Sequence, residues 1–259
     1  MLNLPNSDPG HLFFGRGNSK LPPDVATFSI PAGFTCPGAN ECLSKFDRNK
    51  RKLVDGPNQQ HRCFAASTEA IRPSVRKSLD RNWALLKRAR TTENMVALIM
   101  RSMLPAYWSK IRVHVHGDYY NMAYFLAWME VARQHPERLF YSYTKSLEYW
   151  VAAMSLVPKN YVLTASRGGK FDHLIEKHNL REAVVVYHPE EAEALGLEID
   201  HDDSHAMLDD GKNFALLIHG QGAKGSRHSA ARKRLIKENI SFSYGRKGFK
   251  GKIKTAVRG

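Results

Sequence analysis

Apolar runs that alternate with helix-like segments between Ile111 and Gly220 limit the fold more than any other feature of the sequence. Each run ends in small or polar residues, and helical periodicity follows the first four. A strand-helix-strand order at intervals of roughly twenty to thirty residues is typical of βα units with a parallel sheet and right-handed crossovers. The runs are IRVHVHGDYY, RLFYSYTKS, YVLTASRGG, EAVVVYHP and NFALLIHG. The sequence therefore predicts an α/β fold.

The earlier run ATFSIPAG adds a sixth predicted strand, and weaker strand candidates occur at 197–200 and 240–244. Two helices are predicted from STEAIRPSVRKSLDRNWALLKRAR and TTENMVALIMRSMLPAYW. A complete eight-stranded barrel normally needs about 250 residues. Six strands favour a parallel partial or small TIM-like barrel, with an open doubly wound sheet as the competing arrangement. The predicted organisation is an N-terminal extension (1–26), a barrel-like domain with a cysteine loop (27–222) and a basic C-terminal tail (223–259).

Polar side chains gather where the predicted strands end, which is the edge at which both candidate folds bind ligands. His114, His116 and Asp118 share one side of their strand if side chains alternate with a period of two. The block IDHDDSHAML could bind a divalent cation, supply a general base or cap a helix. The candidate catalytic residues are Asp118, Lys145, Arg167 and His205, and the candidate cofactor-binding residues are His114, His116, Gly117 and His219.

All three cysteines, Cys36, Cys42 and Cys63, follow the first predicted strand, so their loop is expected at the same edge. An odd, small number of cysteines argues against a disulfide framework. The spacing C-x5-C-x20-C matches neither a paired zinc knuckle nor a ferredoxin run. Three thiolates could ligate a [4Fe–4S] cluster with one iron left open, or zinc completed by His61. Three ordinary thiols are the remaining alternative.

Most of the formal net charge of +14 lies in the tail. From Ala223 onward the sequence contains twelve Lys and Arg and one acidic residue, Glu238. Phe242, Tyr244 and Phe249 are interleaved with these cations, so the tail could contact DNA or RNA, or could simply be solvated. No run of about eighteen apolar residues occurs and the first residues do not follow a signal-peptide pattern. A cytoplasmic protein with no membrane partner is therefore expected.

Seven short blocks in one order resemble the bacteriophage family called gene product 88 over roughly residues 27–234. The layout of that family is in turn similar to partial barrels of the radical-SAM type. The resemblance implies that Cys36, Cys42 and Cys63 hold an iron–sulfur cluster and that Gly117 and Asp118 stand at a cofactor-recognising loop. Adenosylmethionine is a doubtful cofactor because the C-x3-C-x2-C spacing and the Gly-Gly-Glu signature are absent. The blocks are FSIPAGFTCPGANEC, DGPNQQHRCFAAS, RVHVHGDYYN, FYSYTKSLEYW, LTASRGG, DDSHA and FALLIHG.

The first functional prediction is therefore a phage iron–sulfur protein of the host cytoplasm that binds a [4Fe–4S] cluster through three cysteines. Such a protein would be a redox or cluster-dependent enzyme, or an electron carrier. Two alternatives stay open: a nucleic-acid-binding phage protein that uses the basic tail, and a zinc-dependent hydrolase with a base from the DHDD block. Whether the chain is an enzyme is left open, because it contains no known nucleophile motif.

Overall fold

Six parallel strands lie side by side in chain order in a computed structural model, which describes residues 10–16, 21–103 and 108–241. Every neighbouring pair in this sheet is parallel. A separate antiparallel hairpin is formed by β2 (Ser44–Asp47) and β3 (Lys52–Asp55). The sheet consists of β1 (Val25–Phe28), β4 (Lys110–Val113), β5 (Leu139–Thr144), β6 (Tyr161–Ser166), β7 (Glu182–Val186) and β8 (Phe214–Leu217).

The predicted α/β fold and its six strands are confirmed. The described strands include no pairing between β1 and β8, so the sheet does not close into a barrel. The order also lacks the reversal that defines a doubly wound sheet, which excludes that arrangement for the described strands. The structure therefore contains an open parallel sheet in sequential order.

Nine helices occur in the described residues, and three of them precede β4. The first predicted helix is divided at Pro73, because Arg72 has φ −125° and ψ 89° and a residue before proline disfavours the helical region. The helices are α1 (Phe64–Ile71), α2 (Pro73–Ala89), α3 (Thr92–Ser102), α4 (Met122–Gln134), α5 (Leu147–Ala152), α6 (His173–His178), α7 (Pro189–Ala194), α8 (Ser204–Met207) and α9 (Arg227–Lys237), with a 3-10 turn at Met154–Leu156. None of these helices is long and apolar enough to cross a membrane.

The two faces of the sheet are buried differently. Phe140 and Tyr161 point to the face that packs on Trp128 of α4 and on its neighbouring helices. Tyr141 and Val162, one position along each strand, point to the other face and pack in a smaller apolar cluster. The longer helices around α4 thus cover one face of the sheet. The short helix α8 packs on the other face, whose carboxyl end is left to form a cavity.

Two local predictions differ from the structure, and a third is not tested by it. The cysteine region, expected as a loop, contains the β2–β3 hairpin. The strand candidate at 197–200 forms only one isolated bridge, from Ile199 to Ala215. The extended segment ends at Asp200, because the Asp200 carboxylate accepts hydrogen bonds from the backbone N–H groups of Asp202 and Ala206 and so starts a turn. The candidate at 240–244 lies mostly outside the described residues.

Candidate functional site

A cavity of about 200 Å³ opens at the carboxyl edge of the sheet, on the face opposite α4. Strands β4 to β8 each contribute to its wall, and the loop after β1 covers it. The cavity brings together most of the residues that the sequence singled out. Those on its wall are Cys36, Cys42, His61, Cys63, His114, Gly117, Asp118, Lys145 and His219.

The cysteine loop reaches the cavity by docking on the loops that follow β5 and β6. Gly38 lies so close to Lys145 that a Cβ atom there would sit 2.0 Å from the Lys145 carbonyl oxygen. Ala39 pairs with Gly169, and Lys170 N donates to the Gly38 carbonyl at 2.9 Å. Only glycine allows this approach, which explains the residue that follows Pro37.

Gly38→Ala is expected to lift the docked loop and to expose Cys36 and Cys42. The added methyl group must displace backbone rather than a flexible side chain, so we expect a stability loss of about 1–3 kcal/mol. The measurement is the rate at which 5,5′-dithiobis-(2-nitrobenzoate) modifies each thiol in the folded protein. Two thiols should react at least about tenfold faster, since modification requires local opening.

Gly196→Ala is the matched control, because its Cβ would meet nothing within 4 Å although its φ is +65°. That change carries the strain of a left-handed alanine without a clash. Thiol rates that rise equally in both variants would contradict the proposed docking contact.

Burial keeps the three thiols in their neutral form. Desolvation raises the pKa of Cys36 well above its ordinary value and raises the pKa of Cys42. Burial also raises the pKa of Cys63 to about 12, although the N–H groups of Ala65 and Ala66 at the start of α1 oppose the shift. Cys36 Sγ accepts a hydrogen bond from Gly33 N at 3.3 Å.

The predicted iron–sulfur function is wrong. In the part of the chain that the structure describes, no group of three or more His, Cys, Asp or Glu side chains is arranged to hold a metal ion. Cys36, Cys42 and Cys63 share a cavity wall but form no ligand set, and the zinc hydrolase alternative fails for the same reason. The position of the cysteines in the sequence predicts the sheet edge on which the thiols lie. Binding a metal also requires that the sulfur atoms converge on one point.

Asp118 and Lys145 form the polar centre of the cavity. The buried Asp118 carboxylate accepts hydrogen bonds from Tyr119 N at 2.7 Å, Thr144 Oγ1 at 2.7 Å and Lys145 N at 2.8 Å. Burial raises the pKa of Asp118 to about 6, and these hydrogen bonds limit the rise. The carboxyl group can therefore exist in both protonation states near neutral pH.

Lys145 is a buried cation that is held by neutral acceptors. Its Nζ donates to Ser166 O at 2.6 Å, Ser166 Oγ at 3.0 Å and Arg167 O at 2.5 Å. No carboxylate of the described residues lies within the 4 Å of a salt bridge to this ammonium group, although its charge does act on Asp118. The positive charge therefore stays available to a ligand in the cavity.

His114 ends β4 in a left-handed conformation, with φ +70°. Its Nε2 lies 2.9 Å from Tyr124 Oη, while Nδ1 is buried and has no hydrogen-bond partner among the described residues. Burial lowers the pKa of His114 to about 3, so the ring is neutral. The left-handed turn interrupts the alternation along the strand, and Val115 rather than His116 reaches the cavity. His116 lies beside Phe64 instead, with ring centroids 6.0 Å apart.

Two other predicted residues lie away from the cavity wall. Arg167 pairs with Glu176 at 2.7 Å and also contacts Glu182. His205, in α8, pairs with Glu198 at 2.9 Å. These local contacts explain the positions of both side chains.

Sequence reasoning missed the ion pair on the cavity wall between Arg112 and Asp203. Arg112 NH1 lies 2.6 Å from Asp203 Oδ2, and both side chains are buried. Tyr141 Oη donates to the same carboxylate at 3.0 Å. A single arginine inside the apolar run IRVHV was the available signal, since an unpaired charge is rarely buried.

Comparisons with known proteins agree with the predicted phage family. The chain is 29% identical over 120 residues to the Gene 88 protein of Mycobacterium phage L5, a match that covers 44% of each chain. It is 28% identical over 120 residues to the Gene 88 protein of Mycobacterium phage D29, covering 44% of this chain and 43% of that protein. The matched segment therefore spans less than half the length of either relative.

No solved structure matches the chain, and nothing in the comparisons supports the resemblance to partial barrels of the radical-SAM type. A family model described as Gene product 88, in contrast, matches residues 12–238. That match covers most of the chain and includes every strand and helix of the described residues. The chain therefore belongs to the Gene product 88 family.

Proposed function

We propose that the chain binds a small organic anion in the sheet-edge cavity and exchanges a proton with it through Asp118. The observation that carries this proposal is the pairing, on one cavity wall, of a protonatable carboxyl group and a buried ammonium group without a carboxylate partner. Convergent polar groups in a largely apolar cavity are the usual form of a small-molecule site.

We also infer that the sheet curves into a partial barrel around the cavity. Five neighbouring strands, spaced about 4.8 Å apart, would spread over roughly 19 Å if the sheet were flat. Residues from all five nevertheless line a single cavity of only about 200 Å³. The covering of one face by helices and the sequential strand order support the same arrangement.

The walls support a ligand with an apolar body and one anionic end. Val115, Val185 and Ile218 supply apolar surface, and the neutral thiols add to it. Among the described residues, Lys145 is the only Lys or Arg on the cavity wall that forms no salt bridge with a carboxylate. Because 200 Å³ is below the ~300–1,000 Å³ of sites for drug-sized ligands, a small metabolite fits best.

Asp118 is suited to proton exchange because its pKa, about 6, lies near the pH at which the protein would work. Thr144 and the backbone of Lys145 hold the carboxyl group in one orientation. His114 presents an unpartnered Nδ1 from the neighbouring strand end, which supplies a neutral polar group for orienting the ligand. Together these groups can bind, orient and protonate or deprotonate a small anion.

The test is a thermal-shift screen of the full chain against a panel of carboxylates, phosphate esters and nucleobases, followed by calorimetry on the compounds that bind. A ligand at 100 times its Kd should stabilise the protein by about 2.7 kcal/mol. Lys145→Gln should weaken binding about 10- to 100-fold, because the anionic ligand loses its attraction to the buried ammonium charge. Asp118→Asn should remove the change in affinity between pH 5 and pH 7.

Lys177→Gln, on the exposed side of α6, is the matched control and should bind like the native chain. Ligands whose affinity is unchanged in Lys145→Gln and whose pH dependence survives Asp118→Asn would argue against the proposal.

A further inference from the structure

Residues 45–90 hold a second concentration of positive charge besides the tail. This segment contains thirteen Lys and Arg against four acids, so the rest of the chain outside it and the tail is net acidic. The excess positive charge is therefore concentrated in two segments, 45–90 and the tail, rather than in the tail alone. In the structure the segment forms the β2–β3 hairpin, α1 and α2.

The hairpin and α2 form one continuous surface because they pack directly on each other. Arg48, beside the hairpin turn, bonds to Asp80 of α2 at 2.7 Å. The guanidinium of Arg76 lies 4.4 Å from the ring centroid of Phe46 in β2. We call this surface the hairpin–α2 face.

Few of its charges are neutralised within the protein. Arg48 engages both Glu69 and Asp80, Arg62 engages Asp55, and Asp47 accepts only backbone N–H groups. The other eleven cations have no salt bridge with a carboxylate among the described residues. All four acids of the segment are thus occupied, and the surface keeps a large excess of positive charge.

The cations of α2 form an ordered row. Lys77, Arg81 and Arg88 are spaced by four and seven residues, which places them on one side of the helix. The apolar residues Leu79 and Leu86 are buried on the opposite side. A row of charges along a helix can follow a phosphate backbone.

An aromatic pair lies among these cations. Phe34 and Trp83 have ring centroids 5.9 Å apart, and Phe34 is 38% exposed. Lys45 Nζ lies 5.2 Å from the Phe34 ring centroid, and Lys87 Nζ lies 4.0 Å from that of Trp83. Phe34 is the exposed ring of the pair, whereas Trp83 is partly buried. An exposed aromatic ring beside unpaired cations is the combination that binds single strands, since bases stack on rings and phosphates pair with cations.

We propose that the hairpin–α2 face binds single-stranded nucleic acid, with phosphates along Lys77, Arg81 and Arg88 and a base stacked at Phe34. This surface is independent of the cavity, and its function is additional to small-molecule binding. The aromatic pair favours a single strand over a duplex, whose bases are already stacked.

The experiment is fluorescence anisotropy of the full chain with a labelled 20-nucleotide oligo-dT, and with the matching oligo-U, from 50 to 200 mM salt. Contact with about five phosphates gives a slope of log affinity against log salt near −3.5, or a loss of about 100-fold over this range. The triple variant Lys77→Gln, Arg81→Gln, Arg88→Gln should bind at least about tenfold more weakly and reduce the slope by about 2. Glutamine keeps the helix propensity, so the fold should persist.

A second variant tests stacking separately. Phe34→Leu should weaken binding about fivefold or more without changing the salt slope. The charge-matched control is Lys159→Gln, Lys177→Gln, Lys212→Gln, three exposed lysines outside the hairpin–α2 face, which should bind like the native chain.

Four results would overturn the proposal. The α2 triple variant could bind as tightly as its control, or Arg246→Gln, Lys247→Gln, Lys250→Gln in the tail could abolish binding while the α2 variant does not. Poly-glutamate that competes as well as unlabelled oligo-dT would assign the face to an acidic polypeptide instead. If the protein binds a duplex more tightly than a single strand and Phe34→Leu does not change the affinity, a base does not stack at Phe34.

Discussion

Lowering the pH from 7 to 5 is expected to destabilise the folded chain by about 4 kcal/mol, because one buried and two half-buried histidines resist protonation. Burial lowers the pKa of His61 and His114 to about 3 and that of His116 to about 4. Below pH 6.5, the ordinary pKa of histidine, these three side chains are protonated in the unfolded chain but stay neutral in the folded chain. Each histidine then contributes a slope of up to about 1.4 kcal/mol per pH unit.

Asp118 acts in the opposite direction. Its folded pKa of about 6 is above the ordinary 3.8, so its contribution to stability is complete below pH 3.8 and is lost as the pH rises through 6. Acidification from pH 7 to pH 5 therefore returns about 1.4 kcal/mol. The histidines outweigh this gain, since their stabilisation is complete only above pH 6.5 and is lost continuously as the pH falls.

The measurement is the free energy of unfolding from urea titrations at pH 7.5, 6.5, 5.5 and 4.5. His114→Gln should reduce the slope below pH 6.5 by about 1.4 kcal/mol per pH unit, whatever its effect on absolute stability. His173→Gln, an exposed position on α6, should leave the slope unchanged. A stability that is flat from pH 7.5 to 4.5 would show that His114 is not buried as described.

The fold could be predicted because its strands carry their own signal. Each parallel strand is an apolar run, and four of the six are followed directly by a segment of helical period. The β2–β3 hairpin was missed because SKFD and KLVD are short, half polar and lie outside both apolar clusters of the sheet. Propensity does not distinguish such strands from a loop.

The edge that holds the cavity could also be predicted, but its chemistry could not. Because the strands are parallel, their carboxyl ends lie at one edge of the sheet, so Asp118, Lys145 and the cysteines were expected together. Whether thiols converge as ligands depends on angles and distances that spacing does not encode. His114 shows the same limit, since its left-handed backbone moves His116 off the cavity wall and a period-two pattern cannot foresee it.

Arg112→Met is expected to destabilise the folded chain by about 3–5 kcal/mol, because it leaves the buried Asp203 carboxylate without its cation. Tyr141 alone cannot replace the lost charge. The measurement is the free energy of unfolding at pH 7.5. Arg133→Met is the control, since that arginine is 67% exposed in its pair with Glu130 and its loss should cost less than about 1 kcal/mol.

The double variant Arg112→Met, Asp203→Asn tests the cause of that loss. Asparagine is neutral and tolerates the left-handed backbone of residue 203, where φ is +65°. If the cost comes from an unpaired buried charge, the double variant should recover about 2 kcal/mol of the single variant's loss. If the two changes simply add, Arg112 contributes through packing against Tyr143 instead, and the ion pair does not hold α8 against β4 and β5.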